Sequence, residues 1–145
     1  VAILTRADTG FTAVTRKIVK SFLLSDITTF NSVYAVELSI SAAGNSDVNF
    51  FTAFTDLLGN SVSLTKASSV LVLPTGSGVI IAPGAATPLT WFFGGTLPTV
   101  TVHAGGCFLF ADGSTRTIDN THKILNFAEV GGATLTLDVL LWGGT

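Results

Sequence analysis

The apolar residues of this chain fall in short runs with a period of two, broken repeatedly by Gly, Asn, Ser and Pro. From Val33 the alternation is regular. Tyr34, Val36, Leu38 and Ile40 take one side while Val33, Ala35, Glu37 and Ser39 take the other, the pattern of a half-buried strand. Ala43-Gly44-Asn45-Ser46-Asp47 then supplies residues that tolerate left-handed backbone angles or bond their own main chain, so a turn is expected there. A second strand is predicted over residues 48–55, carrying Phe50, Phe51 and Phe54. Gly59-Asn60 marks another turn, with Ser61-Val62-Ser63-Leu64 beyond it.

Further along, Val70-Leu71-Val72-Leu73 is expected to stop at Pro74, and Thr75-Gly76-Ser77-Gly78 to turn the chain into Val79-Ile80-Ile81-Ala82, closed by Pro83-Gly84. Residues 89–93, 99–103 and 107–110 read as strands. Asp112-Gly113 predicts a tight turn into Thr115-Arg116-Thr117-Ile118. The last two strands, 123–127 and 133–141, are joined through Gly131-Gly132. About nine to eleven strands at this spacing predict an all-β fold, a β-sandwich or jelly roll. Residues 11–24 allow helical spacing through Val14, Ile18 and Leu24, and 48–58 show some of the same periodicity. Their Thr, Val and Phe content favours strands in both, leaving room for one or two short helical turns.

Composition adds two constraints. Only seven basic and nine acidic residues are spread over 145 positions, and 48% of the chain is hydrophobic. A lone folded subunit with so few charges has a poorly hydrated exterior, so part of the surface is expected to lie against other protein. The length fits one domain, read as an extended N-terminal arm and first strand over 1–30 and a β-sandwich domain over 31–145. Arg6, Arg16, Lys17 and Lys20 are four of the seven basic residues, and Asp8 is the only acid among the first twenty positions. This local excess in an otherwise acidic chain points to an arm that lies on an acidic partner surface.

The net charge of −2 draws the chain toward neither nucleic acid nor anionic lipid. The mean hydropathy of +0.63 comes from strands, since no run approaches the length of a membrane-spanning helix. No basic stretch followed by an apolar core opens the chain, so no secretory signal is expected. Cys107 is alone, and reads as a small buried apolar residue without disulfide or zinc chemistry.

No constellation of catalytic type stands out. His103 and His122 sit at the end of one predicted strand and the start of another, outside any ligand or catalytic spacing. Gly76-Ser77-Gly78 lacks the full Gly-x-Ser-x-Gly of a nucleophile elbow and lies in a strand-to-strand turn. Asp112 and Asp119, with Asn120, lack the alternate acceptors and terminal Glu of a calcium loop, and nothing selects them as an acid/base pair. The eleven Phe, two Trp and one Tyr fall inside apolar runs such as Phe50-Phe51 and Trp91-Phe92-Phe93, which favours packing over a sugar platform. Neither catalytic residues, cofactor nor metal are expected.

Four stretches carry a family resemblance. Residues 40–50 (Ile40 to Phe50), the Leu73-Pro74-Thr75-Gly76-Ser77 turn with Val79-Ile80-Ile81, and residues 116–127 followed by 131–141 resemble the β-modules and terminal hairpin of tailed-bacteriophage virion proteins. The resemblance covers roughly half the chain and implies a small capsid-decorating, head-stabilising protein, a homotrimer seated where major capsid protein subunits meet. It further implies a place on the capsid exterior after assembly in the host cytoplasm, with Arg6, Arg16, Lys17 and Lys20 on an arm reaching a neighbouring subunit. A tail or baseplate protein of the same β-class and a carbohydrate-binding β-sandwich adhesin are the alternatives, the last requiring an exposed Trp91 or Trp142.

Overall fold

A computed structural model describes residues 32–55, 61–90 and 98–145, with the backbone alone for 112–115. The described residues form ten strands and no helix: β1 (Ser32–Ile40), β2 (Asn45–Asn49), β3 (Phe54–Thr55), β4 (Ser61–Val62), β5 (Lys66–Thr75), β6 (Gly78–Pro83), β7 (Val100–Val102), β8 (Phe108–Thr117), β9 (Ile124–Val130) and β10 (Leu135–Gly144). Two four-stranded sheets run in the orders β1-β10-β5-β8 and β2-β9-β6-β7, and β3 and β4 form a small separate ribbon. The first strand pairs with the last, β2 with β9, β5 with β8 and β6 with β7, all antiparallel. That nesting is one long hairpin wound over itself into a two-sheet jelly roll.

Period two explains the layering. On β10, Leu135, Leu137, Val139 and Leu141 are fully buried and face the second sheet. On β9 and β6, Leu125, Phe127, Val79 and Ile81 close the same core from the other side. Tyr34 on β1 packs edge-on against Phe50 and Phe54, with ring centroids 5.1 and 4.6 Å away, in the T-shaped geometry that aromatic quadrupoles favour. The aromatic runs of the sequence thus serve packing wherever they are described.

Several local expectations are corrected. The strand expected over 48–55 is split, because Asn49 Oδ1 accepts the Phe51 N–H at 3.0 Å and the Thr52 N–H at 3.3 Å, turning the backbone out of the ladder. Pro74 does not stop its strand: β5 continues to Thr75, with Pro74 opposite Leu137. The Pro74 carbonyl accepts from the Gly105 N–H at 2.9 Å, beyond Val72↔Phe108, the last β5–β8 pair. The imide nitrogen therefore faces the side where β8 has already ended, and no ladder bond is lost. Asp112-Gly113 does not separate two strands either. β8 runs through it, and the pairing jumps from Ala67↔Arg116 to Ser69↔Ala111, so the extra residues are taken up as a bulge.

Cys107 is exposed, not buried, because it lies in the connection between β7 and β8 just before the strand begins. Of the strand expected over 89–93, Leu89 and Thr90 are not in a strand, and only Pro88 bridges to Ile124. Trp91, Phe92 and Phe93 lie outside the described residues, as does the expected arm with Arg6, Arg16, Lys17 and Lys20.

Candidate functional site

Two features of the sandwich concentrate chemistry: the outward face of the β1-β10-β5-β8 sheet and a carboxylate at the end of β9. The face follows from register. Val33, Trp142, Ser69 and Ala111 form one row across the sheet, Ala35, Leu140, Leu71 and Leu109 the next, and Glu37, Asp138 and Leu73 the third. Residues two apart on each strand share this side. Leu109 is 40% exposed and Ala35 and Ala111 are exposed, Leu71, Leu73 and Trp142 are half-buried, and Leu140 and Ser69 are buried.

This side is therefore mostly apolar over two rows, buried at Leu140 and open at Ala35, Leu109 and Ala111, with Glu37 and Asp138 in the third row and Ser39, Thr136 and Thr75 beyond. Glu37 and Asp138 stand directly opposite each other across β1 and β10, and Asp138 has a further interaction of its own. On the opposite face of the sandwich Asp47 Oδ1 accepts from Asn126 Nδ2 at 2.7 Å, and Asn45 and Asn49 share that side of β2. That side of the second sheet also carries Ile80, Ala128 and, 38% exposed, Val130, so both outer faces mix apolar and polar side chains.

At the end of β9 the inward positions read Leu125, Phe127, Glu129, placing a carboxylate where the period calls for a core side chain. It is only 8% exposed, and it is accommodated by donors from three turns. Ser77 Oγ donates to Oε1 at 2.5 Å, the Ala43 N–H to Oε2 at 2.6 Å and the Ala133 N–H to Oε1 at 3.2 Å, with the Gly132 N–H adding a further bond. Glu129 thereby clamps the β1–β2, β5–β6 and β9–β10 turns together. Ala43 adopts φ +58°, a left-handed angle unusual for a side chain with a Cβ, and its N–H points at this carboxylate. Gly76, at φ +80°, packs so close that a Cβ there would lie 2.6 Å from the Thr134 carbonyl oxygen.

These bonds, that of Ser77 foremost, hold the Glu129 carboxyl below its ordinary value of 4.5. A carboxylate saturated with donors is a weak base, and the buried Ser77 already spends its proton on it. The pair is a structural clamp, not a nucleophile with its base.

The second polar cluster lies in the turn between β8 and β9. Asp119 Oδ1 accepts from Thr121 Oγ1 and the Thr121 N–H, both at 2.7 Å, and from the His122 N–H at 2.9 Å. The Thr121 hydroxyl, then the Thr121 amide, lower the Asp119 carboxyl to about 2. His122 Nδ1 lies 2.9 Å from Thr121 Oγ1 and 3.2 Å from Asp119 Oδ1, so hydroxyl and carboxylate share one ring nitrogen. A catalytic dyad needs them on opposite nitrogens, and this arrangement is a self-bonded turn.

His103 sits apart, in the exposed turn after β7. The Asp112 side chain lies outside the described residues, so its pairing with Asp119 is not placed. No group of three or more His, Cys, Asp or Glu among the described residues is arranged to hold a metal ion. No helix among them is long and apolar enough to cross a membrane.

The sequence reading missed the Ser77–Glu129 clamp and the composition of the outer face. The signal for the first was present, since extending the Leu125, Phe127 alternation by one step puts Glu129 inside. The second depends on cross-strand register, which a single strand does not encode.

No family model matches the chain, and no curated protein matches it. Among solved structures, one similar fold is Peruvianin-I, described as a cysteine peptidase from Thevetia peruviana latex. The likeness is 12% identity with a TM-score of 0.45, over 78% of this chain and 52% of that one, so this chain spans about half the length of that protein. At this level no chemistry carries over.

Proposed function

We propose that this chain is a structural subunit of a tailed-bacteriophage virion, a decoration protein that binds and stabilises the capsid and performs no catalysis. The observation that supports the reading is the mostly apolar outer side of the β1-β10-β5-β8 sheet, where Leu109 is 40% exposed beside exposed Ala35 and Ala111. The jelly-roll strand order is an architecture that viral shell domains use, though lectin domains and cupins use it as well. The polar clusters that are described serve turns, which fits a molecule whose work is mechanical.

In this reading the subunit is a homotrimer seated on the major capsid protein. Each contact gains on the order of 25 cal/mol per Å² of apolar surface removed from water, offset by the entropy of association. Repetition over a shell raises the effective concentration of every further contact. The test is to label intact virions of the phage that encodes the chain with antibody against the folded protein, and to measure sedimentation of the purified chain with isolated heads. Label on the capsid exterior together with co-sedimentation supports the proposal. Label confined to the tail, or a chain that stays a monomer and ignores heads while binding glycans, overturns it.

A further inference from the structure

We infer that the Glu129 carboxylate is an acid-operated latch: on taking up a proton it loosens the β1–β2 and β9–β10 turns together, while both sheets stay paired. Division of labour within the residue is the first argument. The side chain serves turns, with the Ala43 N–H on Oε2 and the Ser77 hydroxyl and Ala133 N–H on Oε1. The backbone serves the sheet, the Glu129 N–H donating to the Gly44 carbonyl at 2.9 Å and the residue pairing with Val79 on β6. Loss of the first set leaves the second in place, so the turns open without the strands parting.

Proton chemistry is the second argument. An ionised carboxylate accepts from all these donors at once, but a protonated one must place its own O–H. On Oε2 that hydrogen meets the Ala43 N–H. On Oε1 the Ser77 hydroxyl can turn to accept it and give its own hydrogen to the Val130 carbonyl, 3.1 Å away, yet the Ala133 N–H faces the same oxygen. Either position sets a donor against a backbone donor. The oxygen left bare loses its charge, which roughly halves what its remaining bonds contribute.

The surroundings help the release. Ala43 holds a left-handed angle, φ +58°, that persists only while its neighbours impose it, and the bond to Oε2 is one such restraint. The β5–β6 and β9–β10 turns also pack together, since a Cβ on Gly131 would lie 2.8 Å from Ser77 Oγ. Among the described residues no other charge faces the latch. Residues 41–44, 76–77 and 131–134 hold no titratable side chain, and the strand partners β2 and β6 bring only Asp47, bonded to Asn126 on the outer side. His103, beyond β7, is exposed, and Glu37 and Asp138 lie on the outer side of the other sheet. Hydrogen bonds, that of Ser77 foremost, therefore hold the carboxyl below 4.5, so the latch is shut above that value and opens as pH falls through the folded one.

The experiment is amide hydrogen exchange of the purified full-length chain, read residue by residue by NMR and corrected for intrinsic rates, with the Glu129 carboxyl carbon shift followed on the same sample. Between neutral pH and pH ~3, protection of the Ala43 and Ala133 amides should fall about tenfold or more as that carboxyl titrates, while Leu137 and Val139 in β10 keep theirs. Glu129→Gln puts a donor into the same shape, so its Ala43 and Ala133 amides should exchange fast already at neutral pH, with no step on acidification. Protection that survives titration of the carboxyl overturns the inference. So does protection lost at the same pH throughout β10, which is unfolding of the whole sandwich. Should E129Q not fold, Ser77→Ala decides: without the Ser77 bond the carboxyl titrates nearer 4.5, so the step must move to higher pH, and a step that stays in place overturns the inference. No capsid is present, so the outcome is independent of whether the chain decorates heads.

Discussion

Replacing Leu109 with Asp separates association from folding. Leu109 is 40% exposed on β8, at the end of the row formed with Ala35, Leu140 and Leu71. Full burial of a Leu side chain contributes about 1.5–3 kcal/mol, so covering the exposed part is worth about 1 kcal/mol per contact. Asp forfeits this and places a carboxylate without donors in the interface, at a further cost of about 1–3 kcal/mol. The sum, about 2–4 kcal/mol, weakens association roughly 30-fold to 1,000-fold.

Folding is touched far less, since the side chain lies on the outer face of an edge strand. A loss of up to about 1 kcal/mol is expected there, chiefly from the poor strand propensity of Asp. Sedimentation equilibrium over a hundredfold range of concentration measures the association, and urea unfolding monitored by tryptophan fluorescence measures the fold. An L109D chain that associates as tightly as the parent refutes the assignment of this face to protein contact. A chain that fails to fold refutes the claim that Leu109 lies outside the core.

Three further outcomes follow from the core, the clamp and one close approach. Phe127→Ala removes a fully buried side chain from the centre of the sandwich and should lower unfolding free energy by about 3–5 kcal/mol, read as a reduced urea midpoint at unchanged slope. Glu129 has a carboxyl held below 4.5 in the folded state, so its stabilisation is present above that value and is lost as pH falls through the folded one. Thermal unfolding should therefore find the gap between parent and Glu129→Gln wide at neutral pH and narrower at pH ~3, and a gap that widens on acidification contradicts the clamp. At Gly84 an added Cβ would lie 2.3 Å from Ile124 Cγ2, where the Gly84 N–H bonds the Ile124 carbonyl at 2.9 Å. G84A should lower stability by about 1–3 kcal/mol, and calorimetry showing no change would mean that β9 yields freely there.

Much of the fold was legible because strand period is a local property. The alternation of Tyr34, Val36, Leu38 and Ile40 and the buried series from Leu135 to Leu141 could be read without knowing any partner. Where local rules failed, a neighbouring strand had overruled them. Pro74 is tolerated because its neighbour ends two residues earlier, and Asp112-Gly113 is absorbed because β8 has slack to bulge opposite Ser68. Cys107 is exposed although its neighbours are apolar, because it falls one residue before the strand.

Alone, the sequence determined an all-β sandwich, the inward side of the first described strand and the scarcity of charge, because side-chain alternation and composition act residue by residue. Only the tertiary structure decided that β1 meets β10 and β5 meets β8. That pairing gathers Ala35, Leu140, Leu71 and Leu109 into one row, and sets Glu37 opposite Asp138. It also brought Ser77 and Ala43 to Glu129 across 52 and 86 residues of chain. Contacts at such separation follow from the order in which strands nest, which depends on burying both sheets at once and on no single segment.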